Sequence, residues 1–211
     1  MRKAYDAQLE LLHEKLIRMG NLCESAIACT AKALVEGDDD AREEALALEE
    51  ETNVAQREIE QLCVRLLLLQ QPMASDLRHV TAAQKMITDM ERIGDQAADI
   101  AELSAFMRGS RVKSDVHISE MARSAGKMVV NSIEAFVKKD LALANKVLAY
   151  DDVIDSLFDK VKKELIDLLQ RDNTLAEDCL DLLMIAKYYE RLGDHAENIA
   201  EAVVYYLTGK N

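Results

Sequence analysis

The chain has 211 residues, of which 49% are hydrophobic and 31% charged, with only 7 glycines and a single proline. Average usage would supply roughly 15 glycines and 10 prolines at this length, so the turns that an all-β sandwich or barrel needs roughly every 8 to 12 residues are missing. A net charge of −13, from 39 acidic and 26 basic residues, argues against binding to nucleic acid or to an anionic membrane.

Apolar residues in the first half recur every three or four positions and predict three helices. The first ends at Gly37, and the second begins near Asp38 and ends before Pro72. The third runs from about Met73 to Gly109, where a glycine is expected to close the helix. No apolar run approaches the roughly 20 residues of a membrane span, and the start of the chain lacks a signal-peptide core. We therefore expect a cytoplasmic protein without a membrane-inserted segment.

The second half of the chain repeats the first. Residues of the first two helices have similar counterparts 102 positions later, and residues of the third helix have them 99 positions later. The sequence Glu-Arg-Ile-Gly-Asp at 91–95 thus returns as Glu-Arg-Leu-Gly-Asp at 190–194. The short polar segment 110–114 predicts a hinge. We predict an all-α fold, a tandem pair of three-helix bundles with six long antiparallel helices, divided into units 1–109 and 114–211.

The third helix of each unit carries an acidic pair, Glu91 with Asp95 and Glu190 with Asp194. Residues four positions apart lie about 40° apart on one face of a helix, so both carboxylates can reach one ion. Two further acids beyond these pairs are weaker candidates for the same sites: Glu102 and Glu201.

The second helix of each unit offers a matching pair. It consists of Asp151 and Asp155 in the later unit and of Glu49 and Asn53 in the earlier one. Facing pairs of this kind would form an oxygen-rich cage that suits Mg, Mn or Fe, with Zn also open. The neutral Asn53 predicts a weaker site in the first unit. An acidic pair on a helix is more often a solvated surface; its duplication in both units strengthens the metal-site interpretation, and both interpretations stay open.

Two other features lie close to these motifs. Gly94 and Gly193 sit inside helices, where glycine is unfavourable, and predict the close approach of a neighbouring backbone or ligand. The segment 71–78 is interpreted as a helix start, capped by Ser75 or Asp76, with Arg78 on the surface. Its counterpart in the second unit differs, so a role of Asp76 and Arg78 confined to the first unit stays open.

No motif for nucleotide binding or nucleophilic catalysis is present, so we predict that the protein is not an enzyme. Glu10 and His13 have the E-x-x-H spacing of di-iron bundles, but those bundles need two such motifs. His195 points about 100° away from Asp194 and is a poor co-ligand. Three functions stay open: a metal-binding regulatory protein, a carboxylate-bridged metal oxidoreductase, and a purely structural helical scaffold.

Segments 71–78, 88–102 and 189–201 resemble the PhoU family, the accessory regulators of bacterial phosphate-specific transport, and the resemblance extends over essentially the whole chain. It implies tandem three-helix bundles whose acidic motifs hold metal clusters. Matched position by position, those motifs fall on Glu49, Glu91 and Asp95 in the first unit and on Asp151, Asp155, Glu190 and Asp194 in the second.

The resemblance also implies partners and a role. Members of the family are thought to connect the ATPase of the phosphate transporter to a sensor histidine kinase of the PhoR type, and to keep the phosphate-starvation response off when phosphate is plentiful. The long apolar stripes of the helices leave surface for a homodimer, although a well-packed monomer would show the same pattern.

Overall fold

The structure is a computed structural model that describes residues 2–69, 74–114 and 116–210, and its long elements are all helices. The helices are α1 (Arg2–Glu36), α2 (Asp39–Leu69), α3 (Ala74–Ser104), α4 (Ile118–Lys138), α5 (Leu141–Leu148), α6 (Asp151–Arg171) and α7 (Ala176–Thr208). The predicted all-α, six-helix plan is confirmed, with α5 and α6 together in the place of one predicted helix. The chain turns between them at Ala149 and Tyr150. None of the described helices is long and apolar enough to cross a membrane.

Equivalent caps begin the second helix of each unit. Asp38 and its counterpart Asp140 each accept a hydrogen bond from the backbone N–H three residues further on, at 3.0 Å in both cases. The preceding residue has a left-handed backbone in both units, with φ +70° at Gly37 and φ +53° at Lys139. The second unit therefore keeps the turn geometry of the first without its glycine, at a steric cost to the lysine.

The segment between the units differs from the prediction. Helix α3 ends at Ser104 instead of Gly109, and a series of turns follows. The expected hinge is anchored, because Ser110 Oγ donates a hydrogen bond to Asp178 Oδ2 at 2.6 Å and Val112 is buried. Packing and hydrogen bonding thus hold the linker against α7.

The main hydrophobic core is continuous through both units, since buried residues of all seven helices belong to it. Helices α3 and α7 pack against each other across the boundary, and α1 packs against α4. A Cβ atom added to Gly20 on α1 would lie only 2.6 Å from Ile133 Cγ2 on α4. The tyrosine hydroxyl of Tyr189 lies 3.3 Å from Thr30 Oγ1 on the other unit. The two repeats are therefore joined by a shared interior.

Candidate functional site

The predicted acidic residues of the second unit gather along one edge of the α6–α7 pair. Glycine at 193 allows the two helices to come close, since a Cβ atom there would lie 3.2 Å from Ile154 Cγ2. On α6, burial raises the pKa of Asp151, and the charges of Asp155 and Asp194 raise it further. The charge of Asp194 on α7 therefore acts on Asp151 on the facing helix α6.

The α7 side of this cluster is only partly neutralised. Burial and the neighbouring Glu190 carboxylate raise the pKa of Asp194. Lys187 compensates some of this charge, with its Nζ 2.5 Å from Glu190 Oε2. Across the pair, Asp151 Oδ1 is buried and has no hydrogen-bond partner among the described residues. A buried carboxylate oxygen without a donor is costly, and a bound cation would remove that cost.

Glu197 also belongs to this cluster, although it lies outside the E-x-x-x-D motif. Burial raises its pKa, and the charges of Asp151 and then Glu201 add to the effect. Glu197 lies one helical turn after Asp194, a spacing that could have indicated it. Its counterpart in the first unit is Ala98, so this position adds an acidic side chain to the second cluster and none to the first.

The first unit brings its predicted residues together between α2 and α3. Burial and the charge of Asp95 raise the pKa of Glu91, and Glu49 contributes to the same shift. Arg92 lies between the two acids of α3, 3.4 Å from Glu91 and 3.2 Å from Asp95. The amide of Asn53 donates a hydrogen bond to Glu49 Oε1. This cluster therefore has more compensation from its own side chains than the second.

The mid-helix glycines are explained by helix packing. A Cβ atom at Gly94 would lie 3.3 Å from Thr52 Cγ2, and Thr52 is the counterpart of the Ile154 that packs on Gly193. In both units the close neighbour is thus a side chain of the facing helix, whereas a backbone or ligand was expected.

The chemistry of the donors fits a hard cation better than their positions do. Both clusters offer oxygen atoms, and neither includes a cysteine. Within residues 2–69, 74–114 and 116–210, however, no group of three or more Asp, Glu, His or Cys side chains is arranged to hold a metal ion. Metal binding would therefore require side chains of the clusters to change rotamer and converge.

The weaker candidates lie away from these pairs. Glu102 is exposed, and its charge contributes to the raised pKa of Asp99 after burial, the main cause. Glu201 is also exposed and lines a cavity of about 830 Å³ between α3 and α7, together with Lys85 and Lys210. Neither acid takes part in the facing pairs.

The start of α3 differs from its interpretation as a capped helix start. Because the helix already begins at Ala74, Ser75 and Asp76 lie within its first turn and neither is the cap, while residues 70–73 of the motif lie outside the described residues. Asp76 is buried. Arg78 is half-buried beside the end of α7, where a Cβ atom at Gly209 would lie 3.4 Å from its Nη1.

His195 takes part in a polar network between α3 and α7. Its Nδ1 lies 2.9 Å from Asp89 Oδ1, which also accepts a hydrogen bond from Asn198 at 3.0 Å. Its Nε2 lies 3.4 Å from the Gln96 amide. The ring is thus directed at α3, in agreement with the expected angle from Asp194. The sequence could not reveal this network, because its members come from separate units.

A family model described as the PhoU domain matches residues 16–104 and 118–203. The phosphate-specific transport system accessory protein PhoU homolog of Clostridium acetobutylicum is 34% identical over 99% of this chain and 96% of that protein. The protein of the same description from Pseudomonas aeruginosa is 31% identical to this chain, over 97% of this chain and 86% of that protein.

Two solved structures share the fold. The crystal structure of PhoU from Pseudomonas aeruginosa matches with a TM-score of 0.93 and 31% identity, over 98% of this chain and all of that one. The phosphate transport system regulatory protein PhoU from Streptococcus pneumoniae matches with a TM-score of 0.88 and 28% identity, over 98% of each chain.

Proposed function

Because the chain belongs to the PhoU family, we propose that it is an accessory protein of phosphate uptake that keeps the phosphate-starvation response off while phosphate is plentiful. It acts as a cytoplasmic, non-enzymatic adaptor between the ATPase of the phosphate transporter and a sensor histidine kinase of the PhoR type. The observation that carries this proposal is the 34% identity, over nearly the full chain, to a phosphate-specific transport system accessory protein. A homodimer is part of the proposal, and light scattering of the purified protein tests it.

The second part of the proposal is that metal ions, Fe, Mn, Mg or Zn, bind both carboxylate clusters. The mutual repulsion that raises the pKa values of Asp151 and Asp194, after burial, supports this proposal. So does the buried Asp151 oxygen without a donor among the described residues. A bound cation would neutralise the repulsion and hold α6 to α7. The second-unit cluster is the stronger one, because Asp155 stands where the first unit has Asn53.

A deletion strain tests the regulatory role. In high phosphate, the strain should over-express its phosphate-uptake genes, and the wild-type chain supplied in trans should restore repression. Normal repression in the deletion strain would contradict the regulatory proposal, whatever the metal content of the protein.

Metal analysis of the purified protein tests the second part. After dialysis, the wild type should retain metal, and the double variant Glu190→Gln, Asp194→Asn should lose the share bound by the second unit. Glu177→Gln, at the first turn of α7 and outside the cluster, is the matched control and should retain all of it. Equal metal content in all three proteins would contradict the assignment of the site.

A further inference from the structure

The E-x-x-H spacing of Glu10 and His13 on α1 has a counterpart on a helix that packs against α1. Asp76 and His79 on α3 have the same spacing, with aspartate in place of glutamate. The ring centres of His13 and His79 lie 6.4 Å apart, with the ring planes at 72°. The fold thus brings together two histidines that are distant in the chain.

Aromatic rings of the second unit close one side of this histidine pair. The ring centre of Phe136, on α4, lies 5.1 Å from that of His13 and 6.1 Å from that of His79. Tyr206, on α7, lies 4.8 Å from the His79 ring. Packing against these rings restricts the orientation of both imidazoles. A di-iron centre needs glutamates from two further helices, so the aromatic wall leaves room for one ion instead of two.

One nitrogen of the pair has an unmet need for a partner. His79 Nε2 is buried and has no hydrogen-bond partner among the described residues. Burial lowers the pKa of His79 to about 4 and also lowers the pKa of His13, so both rings are neutral at pH 7. Neutral imidazole is the form that binds metal ions. A buried polar atom without a partner is costly, and an ion bound there would remove that cost.

The cavity beside the pair supplies carboxylates. It has a volume of about 320 Å³, and Asp6 and Glu10 line it together with the two histidines. Glu10 is exposed and lies one helical turn from His13, and its charge acts on that ring. Lys139 also lines the cavity, but the two carboxylates outnumber its single positive charge. The lining therefore favours a cation.

We propose that His13 and His79 bind one Zn²⁺ ion, with Glu10 as the third ligand and water in the fourth position. Two histidines and one glutamate form the protein ligands of some tetrahedral zinc sites. With Zn–N distances of about 2.1 Å, two imidazoles on such an ion have ring centres about 5 Å apart, so the two rings need to approach by about 1 Å.

The third ligand requires a larger adjustment. In the described part of the chain, no set of three ligands is already arranged around an ion. Glu10 must therefore change its rotamer, which its exposure allows. The bound ion would tie α1 to the first two turns of α3.

This site differs in chemistry from the two acidic clusters. The clusters offer only oxygen atoms, which suit Mg²⁺ or Mn²⁺ as well as other ions, whereas imidazole nitrogen selects Zn²⁺ over Mg²⁺. The proposal therefore holds or fails independently of metal binding by the clusters and of the regulatory role.

NMR of the imidazole nitrogens tests the proposal, because Zn²⁺ on a carboxylate cluster leaves the histidine nitrogens without a metal. The untagged full chain has four histidines and is titrated with Zn²⁺ at pH 7. We expect the ring ¹⁵N signals of His13 and His79 to shift with the same midpoint, while those of the exposed His117 stay unchanged. No shift in excess Zn²⁺, a shift of only one ring of the pair, or an equal shift of His117 would overturn the proposal.

Variants locate the ion. His13→Gln and His79→Gln should each weaken binding at the remaining histidine by about tenfold or more. His117→Gln is the matched control, because this histidine pairs with Glu164 away from the site, and it should leave the midpoint unchanged. Glu190→Gln with Asp194→Asn should also leave it unchanged, and a loss of the His13 and His79 shifts in that variant would overturn the assignment. Circular dichroism checks that each variant keeps its helix content, and the wild-type titration decides the question even if one does not fold.

Discussion

The two acidic clusters differ most directly at Asn53, and Asn53→Asp should make the first cluster resemble the second. In the structure the Asn53 amide donates a hydrogen bond to Glu49, and both side chains are half-buried. Aspartate at this position replaces a donor by a second negative charge. We expect the metal-free protein to lose stability and the metal-bound protein to gain it.

The size of the loss depends on how far solvent screens the two charges. Two carboxylates about 5 Å apart repel by about 3 kcal/mol at an effective dielectric constant near 20. Because Asn53 and Glu49 are partly exposed, screening reduces this to about 1 kcal/mol. For a protein of this size, about 1 kcal/mol lowers the Tm by about 2 to 4 °C.

Calorimetry with a chelator, and then with Mn²⁺ in excess, measures both effects. In chelator, Asn53→Asp should melt below the wild type, and Mn²⁺ should raise its Tm by more than it raises that of the wild type. Asp155→Asn is the reverse control, because it removes a charge that raises the pKa of Asp151. It should melt higher in chelator and respond less to Mn²⁺. An Asn53→Asp variant with an unchanged Tm in chelator would refute the electrostatic reasoning, and equal responses to Mn²⁺ would refute the metal assignment.

Three further predictions concern stability. Lys139→Gly should raise the Tm by about 2 to 4 °C in thermal denaturation, because the left-handed φ of +53° costs a lysine about 1 kcal/mol. Gly37→Ala should lower the Tm, because it places a side chain on a backbone with φ +70°. Gly20→Ala should destabilise the protein by about 1 to 3 kcal/mol through overpacking against Ile133 Cγ2. Ile133→Ala, which removes that methyl group, should offset part of the loss in a double-mutant cycle, and additive effects would contradict the contact. Burial lowers the pKa of His79 from 6.5 to about 4, so the folded state favours the neutral ring. Stability should therefore decrease as the pH falls from 6.5 towards 4, less so in His79→Leu, and equal slopes in urea titrations at several pH values would contradict this.

Features that depend on neighbours in the chain followed from the sequence. Apolar spacing and the 102-residue repeat indicated the helices and their tandem order, and equivalent aspartates indeed cap α2 and α5. The acidic pairs could be placed because residues four positions apart share a helix face. The predicted end of α3, at Gly109, was wrong by five residues, because the helix ends at Ser104. Gly109 does have a left-handed backbone, but it lies in a turn beyond the helix, and a glycine in the sequence does not distinguish the two cases.

Contacts between residues distant in sequence were decided by the tertiary structure. The shared core, the close approach of Gly20 to Ile133 and the bond from Asp89 to His195 join different units, and no periodicity within one helix encodes them. Glu197 belongs to the acidic cluster through Asp151, which lies on another helix, so the spacing within α7 alone does not identify it. The sequence determined which face of each helix is apolar or acidic, since this depends only on helical spacing. The packing of the helices decided which of those faces meet, because burial and charge depend on the distances between them.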